Sequence, residues 1–192
     1  MSKQKEPKAN IWDRRPWPKI GDPTVEVIYE AVGRALSSWE IYEGLQSVLF
    51  SAFVTPNLQT KAAMRAYSAV RTFEGRNEML RAASQAYFHE QPETELQDAF
   101  KGVLSTAASF SPRRNEITHA SVNTFTTDEG SATDTFALYP AYASFRERDM
   151  KNIPTYCMTK AEIDYFSAHF REMQTPVRTL VGQITSRPYK RA

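Results

Sequence analysis

Apolar residues recur every three or four positions from Val25 through Ile28, Val32, Leu36, Trp39, Tyr42, Leu45 and Leu49 to Phe53. That spacing lines one face of an α-helix, so a long helix is expected here. Asp22-Pro23 ahead of it supplies a capping carboxylate and a proline suited to the first turn, and Pro56-Asn57 is expected to end it. Gly33 and Gly44 each cost about 1 kcal/mol against alanine in a helix interior, and are read as points of close approach by a neighbouring helix. Thr60 caps a second helix to about Phe73, with Ala63, Tyr67 and Val70 inward and Gly75 as its terminator. A weaker pattern spans Asn77 to Phe88. Pro92, Glu93 and Glu95 open a fourth helix, striped by Leu96, Phe100, Val103, Ala107 and Phe110. Ser111-Pro112 then breaks the pattern. A proline inside a helix removes a hydrogen bond, whereas Ser as cap and Pro as first residue begin a new one, so a restart is expected there.

Beyond Ser121 the helical period lapses into threonine, serine and aromatic residues. Val122 to Thr126 and Thr135 to Tyr139, flanking Glu129-Gly130, are expected to form a small hairpin. Arg146 to Lys151 reads as a charged surface loop closed by Pro154. Thr159-Lys-Ala-Glu162 spells a capping box that opens a final helix. Its stripe is Ile163, Phe166, Phe170, Met173, Val177 and Leu180, with a kink expected at Pro176. Residues 1–23 mix Lys, Arg and Pro with Trp12 and Trp17 and lack periodicity, so they are expected to form an extended arm. Its tryptophans pack on the body or on a partner chain, or else meet RNA. The expected plan is a basic, aromatic arm (1–23), one helical domain (24–185) and a basic flexible tail (186–192).

Composition narrows the function classes. A net charge of +2 and a pI near 8.6 are too mild to mark a nucleic-acid binder by themselves. A single cysteine, Cys157, excludes an intrachain disulfide framework and a cysteine-rich zinc site, and fits the reducing cytoplasm. The most apolar run, Val48 to Val54, is less than half of the roughly 20 residues needed to span a membrane, so no membrane partner is expected. His89, His119 and His169 are too scattered for a recognisable metal set. Seven glycines include no phosphate-cradling loop, and no cofactor is expected.

Capable side chains crowd together only between Ser111 and His119. In the first turn of a helix beginning at Pro112, Arg113 and Arg114 would meet an unfavourable macrodipole. A bound phosphate would compensate, and so would Glu116 or a carboxylate from another helix. Asn115 and His119 are one helical turn apart and share a face. Histidine can move a proton to or from a hydroxyl, arginine can stabilise charge on a phosphate, and asparagine can orient either. The alternative is a histidine that caps a helix or hydrogen-bonds in the core.

Arg114-Asn115-Glu-Ile-Thr-His119 resembles the Arg-polar-x-x-x-His signature of the HEPN superfamily (higher eukaryotes and prokaryotes nucleotide-binding). Phe136 to Pro140 and Thr159 to Phe166 are also similar to tracts of uncharacterised bacterial proteins bearing that motif. The resemblance implies a mainly α fold, a HEPN-like helical bundle, here with a small β-hairpin-like insertion after the motif. It further implies metal-independent RNA cleavage by attack of the ribose 2′-hydroxyl. His119 would handle the proton, Arg114 would hold the scissile phosphate, Asn115 would position one of them and Arg113 would add substrate-binding charge. Such sites form across a homodimer interface, and some belong to toxins or phage-defence proteins with an antitoxin or regulatory partner. Many superfamily members are instead noncatalytic binding modules, which leaves a helical dimer or partner-binding protein as the second expectation.

Overall fold

A computed structural model describes residues 10–55, 60–127, 130–143 and 153–187. Among these, the chain forms α1 (Val25–Val54), α2 (Lys61–Ser68), α3 (Phe73–Glu90), α4 (Thr94–Thr118), β1 (Ala120–Thr126), β2 (Ala132–Pro140), α5 (Lys160–Glu172) and α6 (Gln174–Thr185). The fold is therefore mainly helical, with one small antiparallel sheet. Two compact units divide the chain, residues 1–33 with 110–166 and residues 34–109 with 167–192.

The second unit holds most of the helical core. Trp39 packs its ring against Tyr42, Phe73 and Phe170, while Phe53 meets Tyr87, Phe88 and Phe100. The α4 stripe from Leu96 to Val103 and Ala107 is buried as its period requires. On α1 the inward face also takes small and polar residues that a hydrophobic stripe does not register: Ala35, Ala52 and Gln46 are fully buried. Gln46 is tolerated because its amide donates to the Tyr42 hydroxyl at 3.0 Å and its oxygen accepts from Tyr67 at 3.4 Å. Burial pushes both phenols above their ordinary pKa, so Tyr42 accepts and Tyr67 donates as neutral hydroxyls. Arg76 ion-pairs with the buried Glu43, whose other oxygen accepts from the Trp39 indole at 2.9 Å.

Three local expectations are corrected. Gly75 does not end α2; it lies in the first turn of α3, where the Thr72 hydroxyl accepts its amide at 3.1 Å. A Cβ there would stand 2.8 Å from Val70 Cγ1, so the residue is chosen for closeness, not for termination. The last stripe is two helices: α5 stops at Glu172, the residue whose carbonyl would have needed the amide that Pro176 lacks. Gly33 and Gly44 admit no close helix, for nothing lies within 4 Å of a Cβ built on either. Pro56-Asn57, Glu129, Arg146 to Lys151 and tail residues 188–192 lie outside the described residues.

The first unit is built on the hairpin. β1 and β2 pair with Ala120 opposite Pro140 and Thr124 opposite Phe136, and an irregularity follows before Thr126 meets Ala132. The turn uses Gly130 at φ 86°, a region open to glycine without a Cβ clash. Asp22 and Phe136 exchange backbone hydrogen bonds at 2.8 Å, so the arm extends the sheet edge. Asp22 does not serve the helix that follows it; its carboxylate accepts the Lys160 amide at 2.6 Å and caps α5. Burial raises the Asp22 pKa, and that amide opposes the shift. Glu162 also accepts the Thr159 amide at 2.8 Å, the expected arm of the capping box.

Gly21 is the tightest point of this edge. A Cβ would meet Phe125 Cβ and Thr135 Oγ1 at 2.6 Å and the Phe136 carbonyl at 2.8 Å. Gly21→Ala is expected to destabilise by about 1–3 kcal/mol through forced backbone movement. Gly33→Ala and Gly44→Ala, at uncrowded helical positions, should each stabilise by about 1 kcal/mol. Urea unfolding of the three variants should show these opposite signs.

Candidate functional site

The motif lies at the end of a helix, not at the start of one. α4 runs without interruption through Pro112 to Thr118. The proline is accommodated because it and Ala108, whose carbonyl loses its amide partner, both face solvent. The expected restart is thus corrected, and the electrostatic problem changes sign: at a helix C-terminus the macrodipole favours cations. A phosphate is not needed to offset Arg113 and Arg114.

Within the first unit, Glu116 gathers much of the nearby charge. It is 6% exposed, and its Oε1 lies 2.8 Å from Arg113 and 2.7 Å from an Arg14 terminal nitrogen. Arg14 Nε donates to the same oxygen at 2.8 Å. Arg113 is 12% exposed on its side chain and turned to this carboxylate, the compensation that Glu116 was expected to offer. The Arg14 guanidinium also lies 5.2 Å from the centre of the Tyr156 ring. Tyr156 in turn donates its hydroxyl to the Glu116 carbonyl at 3.1 Å, satisfying one of the carbonyls that a helix end leaves over.

Arg114, Asn115 and His119 occupy the other side of the turn. Arg114 donates to Asn115 Oδ1 at 3.2 Å, and the Thr118 hydroxyl donates to the Arg114 carbonyl at 2.8 Å. The His119 amide donates to the Asn115 carbonyl at 3.0 Å, closing the last turn. Asn115 and His119 are exposed, so His119 is not a core histidine. The next residue, Ala120, begins β1, which holds the histidine at a helix-to-strand junction.

No family model, curated protein or solved structure matches this chain. The residues must therefore speak through their own geometry. The structure brings Arg114 to Asn115 and sets His119 one turn beyond, whereas Arg113 is directed to Glu116.

Two contributors escape a reading of the motif alone. Arg14 and Tyr156 are 102 and 40 residues away from Glu116 in sequence. The one hint was the arm's mixture of arginines and tryptophans. Its packing expectation holds for the described part: Trp12 meets Phe110 edge-on at 6.2 Å, and Trp17 packs on Tyr139 and donates to the Thr126 carbonyl at 3.2 Å. Cys157, beside Tyr139 in this small core, is buried, and desolvation pushes its thiol up to about 12, which keeps it from acting as a nucleophile near neutral pH.

The second unit contains a cavity of about 600 Å³ between α3 and α4, lined in part by Arg81, Lys101, Ser84 and Ser105. Its cations already face carboxylates, Glu78 at 3.4 Å and Asp98 at 2.8 Å. Its described lining includes no His, Cys, Asp or Glu.

Proposed function

We propose that this protein is a HEPN-type endoribonuclease that works as a homodimer without a metal. The observation that carries the proposal is the exposed pair Asn115 and His119 on one turn, with the Arg114 guanidinium drawn to Asn115. In the proposed reaction His119 removes the proton from a ribose 2′-hydroxyl. The 2′-oxygen then bonds to phosphorus and the bond to the 5′-oxygen breaks. Arg114 stabilises the charge on the phosphoryl oxygens, and Asn115 holds the arginine or the substrate. The leaving oxygen needs a proton in return, and a two-fold axis would supply it from a second His119. The products are a 2′,3′-cyclic phosphate and a 5′-hydroxyl. Such an enzyme fits a toxin or phage-defence role in the cytoplasm, held in check by an antitoxin or regulatory protein.

The test is incubation of purified protein with mixed RNA in EDTA, with chemical identification of the new ends. Cyclic phosphate ends in the presence of chelator support the proposal. Intact RNA, or cleavage abolished by EDTA, overturns it.

A second reading is favoured by the Arg113–Glu116–Arg14 cluster, in which one carboxylate already receives both arginines without any anionic ligand. In that reading the same turn is a polar contact in a noncatalytic dimer or partner-binding protein. His119→Ala would then change the oligomeric state in sedimentation, with no cleavage to lose.

A further inference from the structure

We infer that Arg14 and Tyr156 are positioning residues that lock the last turn of α4, the turn presenting Asn115 and His119. This deepens the nuclease proposal and rests on it for its catalytic meaning. Helix ends fray because their last carbonyls lack amide partners. Here the turn is held at Glu116, between the two candidate residues. Its carboxylate receives two donors from Arg14, at 2.7 and 2.8 Å. Its carbonyl receives the Tyr156 hydroxyl at 3.1 Å. Arg14 and Tyr156 are themselves in contact, guanidinium over ring. Side chain and backbone of one residue are thus fixed by two segments distant in sequence.

The geometry explains why Arg14 is an arginine. Two nitrogens of one planar guanidinium share a carboxylate oxygen, while its face lies on an aromatic ring, and an ammonium cannot meet both demands. It also separates positioning from folding. Arg113 remains on Glu116 when Arg14 is removed, so the buried carboxylate keeps a cation at 2.8 Å. Arg14→Ala should therefore fold, with a looser final turn. Tyr156→Phe keeps the ring beneath Arg14 and deletes only the hydrogen bond to the carbonyl.

The experiment pairs hydrogen exchange at the His119 amide with RNA cleavage, in the full-length protein and in Arg14→Ala, Arg14→Lys and Tyr156→Phe. The expected result is faster His119 exchange, on the order of 10-fold, in Arg14→Ala and Tyr156→Phe. Cleavage should fall by a similar factor in kcat with KM little changed, and Arg14→Lys should recover only part of either. Unchanged exchange overturns the inference whatever the activity. Faster exchange with full kcat in a cleaving protein also overturns it as positioning for catalysis. If the unsubstituted protein does not cleave RNA, the nuclease proposal fails by itself. The exchange data then decide alone whether these residues order the turn.

Discussion

His119→Ala should lower RNA cleavage by about 100- to 10,000-fold, the usual contribution of a well-placed acid–base group. The same substitution should shift stability by no more than about 0.5 kcal/mol, because the side chain is exposed at the end of α4 and fills no core space. That separation gives the experiment its force: a large loss of rate with an unchanged melting curve cannot be attributed to unfolding. Arg114→Ala should reduce cleavage through lost phosphate stabilisation, and it should also release Asn115 Oδ1 from its donor at 3.2 Å. Asn115→Ala should have the smallest effect of the three, because it leaves both the proton carrier and the charge in place. Folded His119→Ala protein that cleaves at the full rate would remove histidine from the mechanism.

The largest stability effect is expected at Glu116. Its carboxylate is 6% exposed and receives Arg113 and Arg14, so Glu116→Ala removes the acceptor that two guanidinium groups share. Breaking a buried ion pair by removing one partner costs about 3–5 kcal/mol. The lower end applies because the Arg14 side chain is 35% exposed and can turn to water, whereas Arg113 at 12% has less freedom. A loss of about 3 kcal/mol corresponds to a fall in Tm of roughly 6–12 °C for a domain of this size. Glu116→Gln should lie between, retaining an acceptor but no charge. Differential scanning calorimetry of the two variants measures both, and a fall of under 2 °C in Glu116→Ala would show that the cluster carries little net stability.

The helices were legible in sequence where burial follows from side-chain size. Leu96, Phe100, Val103, Ala107 and Phe110 on α4, and Ile163, Phe166, Phe170, Met173, Val177 and Leu180 on α5 and α6, are all buried as their spacing implies. The hairpin was legible from its threonine and aromatic content, although β1 begins two residues earlier than expected, directly after the motif. Pro112 was misread because local propensity knows nothing of exposure. A solvent-facing proline costs a helix one hydrogen bond that water can replace at the freed carbonyl, and tertiary burial on both sides outweighs that loss. Gly75 was misread for a related reason: glycine marks ends and close approaches alike, and only the neighbouring Val70 tells them apart. Of the candidate site, the residues within one turn were visible from spacing. Arg14 and Tyr156 were not, since their relation to Glu116 is created by chain segments that no local period connects.

The construction of the first unit also sets a timetable. Arg14 meets Glu116 across 102 residues, and Asp22 meets Lys160 across 138. At a synthesis rate of about 5–20 residues per second, the arm waits roughly 7–28 s between its own emergence and that of its most distant partner, Lys160. Until then the α4 terminus lacks Tyr156, and α5 has no cap from Asp22. The surroundings of Asn115 and His119 are consequently completed only after synthesis has passed Tyr156 and Lys160.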